Sequence, residues 1–432
     1  MFLAIMGFLM VFLFMYLIMT KKLSALIALM LIPALFAVFT GHAGDIGEMS
    51  LQGITDLAPT GIMLLFAILY FGIMIDAGLF DPVVGRILKA VKGDPTKIVM
   101  GTAALALVVS LDGDGTTSYM ITVSAFFPLY QRLKMNPLIL PAIAVMCVSL
   151  TNMVPWGGPT ARAAAALNVD VGDVFVPLIP TMIGGAIWIF FTAYILGRRE
   201  RKRLGVVTFD DAEQRMLQQQ AATVDASLKR PKLLWVNFAL TVVLMFGLIK
   251  GIMPLPVLFM LAFALAITIN YPNLKLQKER IADHAGNVLA VVSLVFAAGI
   301  FTGILSGTKM VDAMASSLIS IIPDAWGPAF SIIVAVTSIP FTFFMSNDAY
   351  YFGVVPILAE AAANYGFAPV EIARASLLGQ PVHLLSPLVP ATYLLVGMSK
   401  VDFGEFQRFT ILWATGTAFA VIAVAIVTGI IF

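Results

Sequence analysis

The chain has 432 residues, 60% of them hydrophobic and 12% charged, about half the roughly 25% charged share of a soluble globular domain. A net charge of +2 leaves no basic surface for nucleic acid. The single cysteine, Cys147, excludes an intrachain disulfide and a cysteine-rich metal site, and in its apolar run it reads as a small buried hydrophobe.

Several apolar runs reach the roughly 20 residues that cross a hydrocarbon core, so the chain reads as a multi-pass membrane protein. The run 2–19 has no basic stretch before it and no small-x-small cleavage pattern before Lys21-Lys22. It is expected to be a first span rather than a signal peptide. Basic residues mark cytoplasmic connections: Lys21 and Lys22, then Arg86, Lys89, Lys92 and Lys97, and later Lys275, Lys278 and Arg280. Segment 198–232 is basic at both ends and rich in Asp, Glu and Gln between. It is expected to be a solvated cytoplasmic linker between an N-terminal unit, 1–197, and a C-terminal unit, 233–432.

Between Lys97 and the basic Gln131-Arg132-Leu133-Lys134 the chain is too short for two crossings. It suits a re-entrant hairpin at about 98–131, with its tip at Asp112-Gly113-Asp114-Gly115-Thr116-Thr117. Non-helical backbone at mid-depth persists only where it lines an enclosed or watery cavity, so the tip is a candidate site. A broken span follows at about 137–167, with Val154-Pro155-Trp156-Gly157-Gly158-Pro159-Thr160 at its interruption.

The C-terminal unit repeats the plan. A hairpin is expected at about 331–363, with tip Met345-Ser346-Asn347-Asp348, and a broken span at about 369–398. The two broken spans align without gaps at a spacing of 232: Pro137 on Pro369, Pro155 on Pro387, Thr160 on Thr392, Val169-Asp170 on Val401-Asp402. Matched helix breaks in two halves point to a transporter binding site. Counting spans puts the hairpins on opposite membrane faces. The expected fold is therefore all-α and polytopic: two inverted repeats, each of about five transmembrane helices, one of them broken, plus a re-entrant hairpin.

Charge within a bilayer is functional by default. Asp112 and Asp114 stand at the first tip and Asp348 beside Asn347 at the second; Asn152, Arg162, Arg374 and His383 lie in the broken spans. Carboxylates with Asn and Thr oxygens suit Mg²⁺, Ca²⁺ or Mn²⁺, and protons. Thr116, Thr117, Thr160, Ser386 and Thr392 add hydroxyls, glycine-rich half-helix ends such as Gly158 expose backbone N–H groups to an anion, and Arg162 can clamp a carboxylate. Such a cavity favours a ligand with anionic and cationic parts, as in a metal-chelated carboxylate. His383 is a structural histidine or a proton-coupling group, like Asp348; His42 and His284 fall in expected loops. Lys250 and Lys309 sit at span ends, where they can snorkel. No phosphate loop, dinucleotide fingerprint or H-E-x-x-H motif occurs, so nothing suggests an enzyme.

The stretches Ser110-Leu111-Asp112-Gly113-Asp114-Gly115-Thr116-Thr117-Ser118-Tyr119-Met120 and Val154 through Arg162 resemble the citrate–metal–proton symporter family, CitMHS. The opening Ile5-Met6-Gly7-Phe8-Leu9-Met10, Leu17-Ile18-Met19-Thr20-Lys21 and Gly379-Gln380-Pro381-Val382-His383 are similar to it as well. The resemblance implies uptake of a citrate–divalent metal complex with protons. It also implies a homodimer, with a scaffold and a mobile domain holding two opposed hairpins, in a cell membrane, a bacterial inner one by this reading. It implies that Asp112, Gly113, Asp114, Thr116, Thr117, Thr160 and Arg162 contact substrate. Ser346, Asn347, Asp348, Ser386 and Thr392 follow by the internal repeat, with Asp112, Asp114 and Asp348 toward the metal. A metal-free di- or tricarboxylate carrier, a cation/proton antiporter and an arsenite permease are the alternatives. The aspartates at the first tip would repel a bare trianion.

Overall fold

The computed structural model describes residues 1–91, 93–113, 115–206, 227–319 and 324–431, which are helical throughout their regular segments. The expected tip residue Asp114 and the middle of the linker lie outside the described residues.

In chain order the helices are α1 (Phe2–Met19), α2 (Ala25–Phe39), α3 (Ile46–Asp76), α4 (Asp81–Val91), α5 (Pro95–Val109), α6 (Gly115–Arg132), α7 (Ile139–Thr151), α8 (Gly158–Leu167) and α9 (Val171–Leu204). The second unit continues with α10 (Leu234–Lys250), α11 (Leu255–Asn270), α12 (Leu274–Gly307), α13 (Met310–Ile319) and α14 (Phe330–Phe344). A π-helical turn (Ala349–Val354) then runs into α15 (Val355–Ala363), followed by α16 (Pro369–Leu377), the short α17 (Gln380–His383), α18 (Pro390–Ser399) and α19 (Phe403–Val427). Among the described residues, seven helical segments are long and apolar enough to cross a membrane.

Local chemistry explains where the elements start and stop. Asp170 accepts from the Gly172 and Asp173 amides to cap α9, and Asp402, 232 residues on, accepts from the Glu405 amide to cap α19; each satisfies N–H groups that a helix start leaves orphaned. Asn168 and Lys400, also 232 apart, end α8 and α18 in the left-handed conformation, with φ of 51° and 53°. Two expectations need correction. The basic run that opens the expected linker is the end of α9, which stays helical through Leu204 because Arg and Lys favour its C-terminal end. His284, expected in a loop, lies within α12 and meets Asp76 Oδ2 at 2.9 Å.

Two groups of helices pack together. The first centres on α3, which lies along α12 and α11, with α2 against α12. Glycine permits that approach: a Cβ on Gly53 would come within 2.0 Å of the Gly299 carbonyl oxygen, and one on Gly303 within 2.2 Å of the Met49 oxygen. Small residues commonly allow such contacts between transmembrane helices. In the second group, α5 is wedged between α9 and α7, and α9 packs on α19. The charges at the C-terminal end of α9 secure the start of α5 and the turn after α6. Glu200 accepts from the Asn136 amide at 2.8 Å, Arg203 donates to the Lys134 carbonyl at 2.9 Å, and Arg201 pairs with Asp94, the residue that caps α5.

The halves of the broken spans pack crosswise. Helix α8, after the first break, lies against the π-helical turn and α16, whereas α18, after the second, lies against α6. The π-helical turn thus meets the helix after the first break, and α6 meets the helix after the second.

Candidate functional site

The helix breaks fall at 152–157 and 384–389, six residues each and 232 apart. In the first, turns close through Val154 N to Thr151 O and Gly157 N to Val154 O. Gly157 is so tightly folded back that a Cβ would stand 1.9 Å from the Asn152 oxygen. Thr160 Oγ1 donates to the Met153 carbonyl at 2.9 Å, and Thr392 Oγ1 donates to the Leu384 carbonyl at 2.5 Å. Both threonines are fully buried and spend their hydroxyls on carbonyls that the interrupted helix leaves without a partner. They hold the breaks in shape. Ser386 also turns inward, accepting from the Leu388 amide at 3.2 Å, while Gln407 of α19 donates to the Leu385 carbonyl at 2.7 Å. The second span has a further interruption that its sequence did not suggest, between α16 and α17. There Gly379 lies against the backbone of Ser338, where a Cβ would be 2.5 Å from the Ser338 carbonyl carbon.

At the first tip, α5 passes through a 3₁₀ turn, Ser110–Asp112, into Gly113 at φ 82°, a conformation that favours glycine. The first break holds this turn twice. Thr151 Oγ1 donates to Ser110 Oγ at 2.6 Å, and the Trp156 indole N–H donates to the Leu111 carbonyl at 2.9 Å. Trp156 also packs tilted against Phe71 of α3 at 4.5 Å and meets Phe259 of α11 edge-on at 5.6 Å, between ring centroids. Asp112 is 6% exposed and accepts from Ser118 Oγ at 3.4 Å. Thr116 and Thr117 occupy the first turn of α6, half-buried.

At the second tip, Ser346 Oγ accepts from the Ala349 amide at 3.2 Å, as a capping serine does. Asn347 Oδ1 accepts from Gln380 Nε2 at 3.1 Å. Asp348 Oδ1 accepts from Arg162 Nε at 2.6 Å, and the same guanidinium donates from Nη1 to the Gly158 carbonyl at 3.1 Å. These side chains are 17% and 19% exposed, so a charge-assisted bond ties the first broken helix to the opposite tip. His383 is buried, and its Nδ1 lies 2.6 Å from the Thr342 carbonyl oxygen. A carbonyl only accepts, so Nδ1 carries the hydrogen and Nε2 is left as the ring's basic atom.

Arg374 stands apart, donating from Nε and Nη2 to the Asp173 carbonyl. Among the described residues no three His, Cys, Asp or Glu side chains gather as a metal site. A groove of about 580 Å³ between α3, α12, α8 and α15 is lined by Asp45, Glu48, Asp56 and Glu360, and no tip residue lines it. Gln380 and Trp156 were not anticipated as site members. The only signals were Gln380's place in a motif that carries the family resemblance and Trp156's place between a proline and two glycines.

The same overall arrangement occurs in solved membrane transporters. Neisseria gonorrhoeae MtrF, described with a class of antimetabolite efflux pumps, superposes with a TM-score of 0.61 at 16% identity, over 90% of this chain and 84% of that one. The Alcanivorax borkumensis YdaH transporter gives 0.57 at 12% identity, over 89% and 88%. At such identities the likeness is one of fold, and the fold is that of a helical membrane transporter. Residues 14–379 match the family model for the citrate transporter family CitMHS, and the chain belongs to that family, as its tip and break motifs suggested. Three Bacillus subtilis proteins align over 99% of this chain and of themselves: a citrate transporter at 62% identity, the uncharacterized transporter YraO at 55%, and a Mg(2+)/citrate complex secondary transporter at 53%.

Proposed function

We propose that this protein takes up citrate as a complex with a divalent metal ion, coupled to protons, by alternating access in the cell membrane. The observation that carries the reading is the Arg162–Asp348 bond, which joins a helix break to the opposite tip where an inverted pair of repeats would meet. Breaks, caps and left-handed helix ends that recur at a spacing of 232 residues support that symmetry, and with it two re-entrant hairpins entering from opposite faces.

Chemistry supports the metal-bearing substrate. A chelated ion arrives with ligands from citrate itself, so the protein needs fewer donors than a resident metal site. On this reading Asp112, with Asp114, Thr116 and Thr117, faces the metal. Gly158, Asn152, Ser346, Asn347 and Ser386 shape or contact the carboxylate side. Asp348 lies beside them, its charge offset by Arg162. His383 Nε2, near the second tip, is the proton-coupling group in this account. The homodimer and the cytoplasmic linker belong to the same reading, and crosslinking in native membranes tests the dimer.

The deciding experiment is uptake of labelled citrate into proteoliposomes under an inward proton gradient, with and without Mg²⁺, Ca²⁺ or Mn²⁺. Metal-dependent citrate uptake with co-transported metal is the expected result. Uptake indifferent to metal would replace the reading with a plain carboxylate carrier.

A further inference from the structure

We infer that Gln380 is a positioning residue that sets the hydrogen-bonding polarity of the second tip, holding Asn347 so that it offers its amide NH₂, not its oxygen, to the substrate. The inference rests on the proposed binding of a citrate–metal complex between the tips and specifies which part of that complex each tip receives.

The polarity follows from a chain of hydrogen bonds with one fixed end. The Ser376 carbonyl can only accept, and Tyr351 Oη lies 3.4 Å from it. With its hydrogen directed there, the Tyr351 oxygen accepts from Gln380 Nε2 at 2.8 Å. The same Nε2 donates its second hydrogen to Asn347 Oδ1 at 3.1 Å. Both hydrogens of the Gln380 amide are thereby spent, and the Asn347 oxygen is occupied. The oxygen keeps a second lone pair, but with Oδ1 turned to Gln380 the Asn347 NH₂ is directed to the opposite side.

The reverse assignment is disfavoured by burial. Gln380 and Tyr351 are fully buried, and Gln380 Oε1 meets no hydrogen-bond partner among the described residues. Turning the Gln380 amide over would aim two N–H groups at that same place. Orphaned buried N–H groups are rarer than under-satisfied carbonyls. Asn347 is only half-buried, and its neighbour Asp348 is paired with Arg162. The second tip therefore presents donors and a neutralised carboxylate, which suits the carboxylate face of a chelate. The metal face falls to the first tip and Asp112.

The test is the concentration dependence of Mg²⁺–citrate uptake in proteoliposomes for wild type, Gln380→Glu, Gln380→Met, Asn347→Ala and the double variant Gln380→Met/Asn347→Ala. An ionised glutamate at 380 can only accept, so it recruits the Asn347 NH₂ and turns the oxygen outward. KM should rise about tenfold, with the maximal rate changed less than about twofold. Gln380→Met should raise KM by a smaller factor, and that rise should vanish in the Asn347→Ala background, because the two residues act as one unit. An unchanged KM in Gln380→Glu, or independent multiplying effects of Gln380→Met and Asn347→Ala, would overturn the inference. Where the buried glutamate prevents folding, the methionine cycle alone decides it. Absence of citrate uptake by the wild type overturns the substrate reading and this inference with it. Normal wild-type uptake with insensitive variants overturns only the inference.

Discussion

Arg162 and Asp348, 186 residues apart, meet at 2.6 Å through Nε and Oδ1. The bond joins the helix that follows the first break to the turn between α14 and the π-helical segment, and it holds two charges in a chain with few to spare. Neither partner is fully buried, so breaking the pair should cost less than the ~3–5 kcal/mol of a fully buried one. Arg162→Met should lower the melting temperature of the detergent-solubilised protein more than the double variant Arg162→Met/Asp348→Asn, which leaves no unpaired charge. Citrate uptake should be lost in both. A cycle without coupling in the melting data would mean that the pair does not form.

Arg162→Lys tests geometry rather than charge. A lysine ammonium cannot reproduce donation to both Asp348 and the Gly158 carbonyl from one planar group. Uptake should fall about tenfold or more, read as a raised KM, with folded protein retained by size-exclusion chromatography. Wild-type affinity in this variant would assign Arg162 a purely electrostatic part.

Asp112→Asn keeps size and hydrogen bonding but removes the charge at the first tip. Uptake of the Mg²⁺ complex should be abolished while the yield of folded protein stays normal. Full transport by this variant would take Asp112 out of the site.

The first tip should also be sensitive to shape. A Cβ at Gly113 would stand 2.7 Å from Trp156 Cδ1, and its φ is 82°, so Gly113→Ala should be poorly folded or inactive. Trp156→Phe keeps the aromatic contacts with Phe71 and Phe259 but loses the bond to the Leu111 carbonyl. It should cost about 1 kcal/mol and slow uptake, measured by thermal melting and by initial rates.

Removing the metal separates substrate from protein. EDTA outside the proteoliposomes should stop citrate entry, and Mg²⁺ in excess of the chelator should restore it within the same preparation. Entry that persists in EDTA would show that citrate travels alone.

Much of this framework can be read from the residues. The prolines of Val154 through Thr160 and of Leu385 through Thr392 forecast both helix breaks, because a missing N–H and a fixed φ interrupt a helix wherever they occur. Pairings that depend on the fold were not legible. Nothing near Arg162 indicates Asp348, nothing near Trp156 indicates Phe71 or Phe259, and the inward turn of Thr160 and Thr392 reflects carbonyls freed only once the break exists. His284 was misassigned because its polar neighbours imitate a loop, whereas they are the opening turns of a 34-residue helix.

The close approach of Gly53 to Gly299 and of Gly303 to Met49 has a mechanical meaning. A contact made by absent side chains acts as a register mark. Sliding α3 by one helical turn, about 5.4 Å, in either direction would bring Met49 or Leu57 to the place of Gly53, where backbone already fills the space. The α3–α12 pair therefore behaves as a fixed post with a single permitted setting, and under the proposed alternating access the displacement that carries a substrate across must occur along some other seam of the protein.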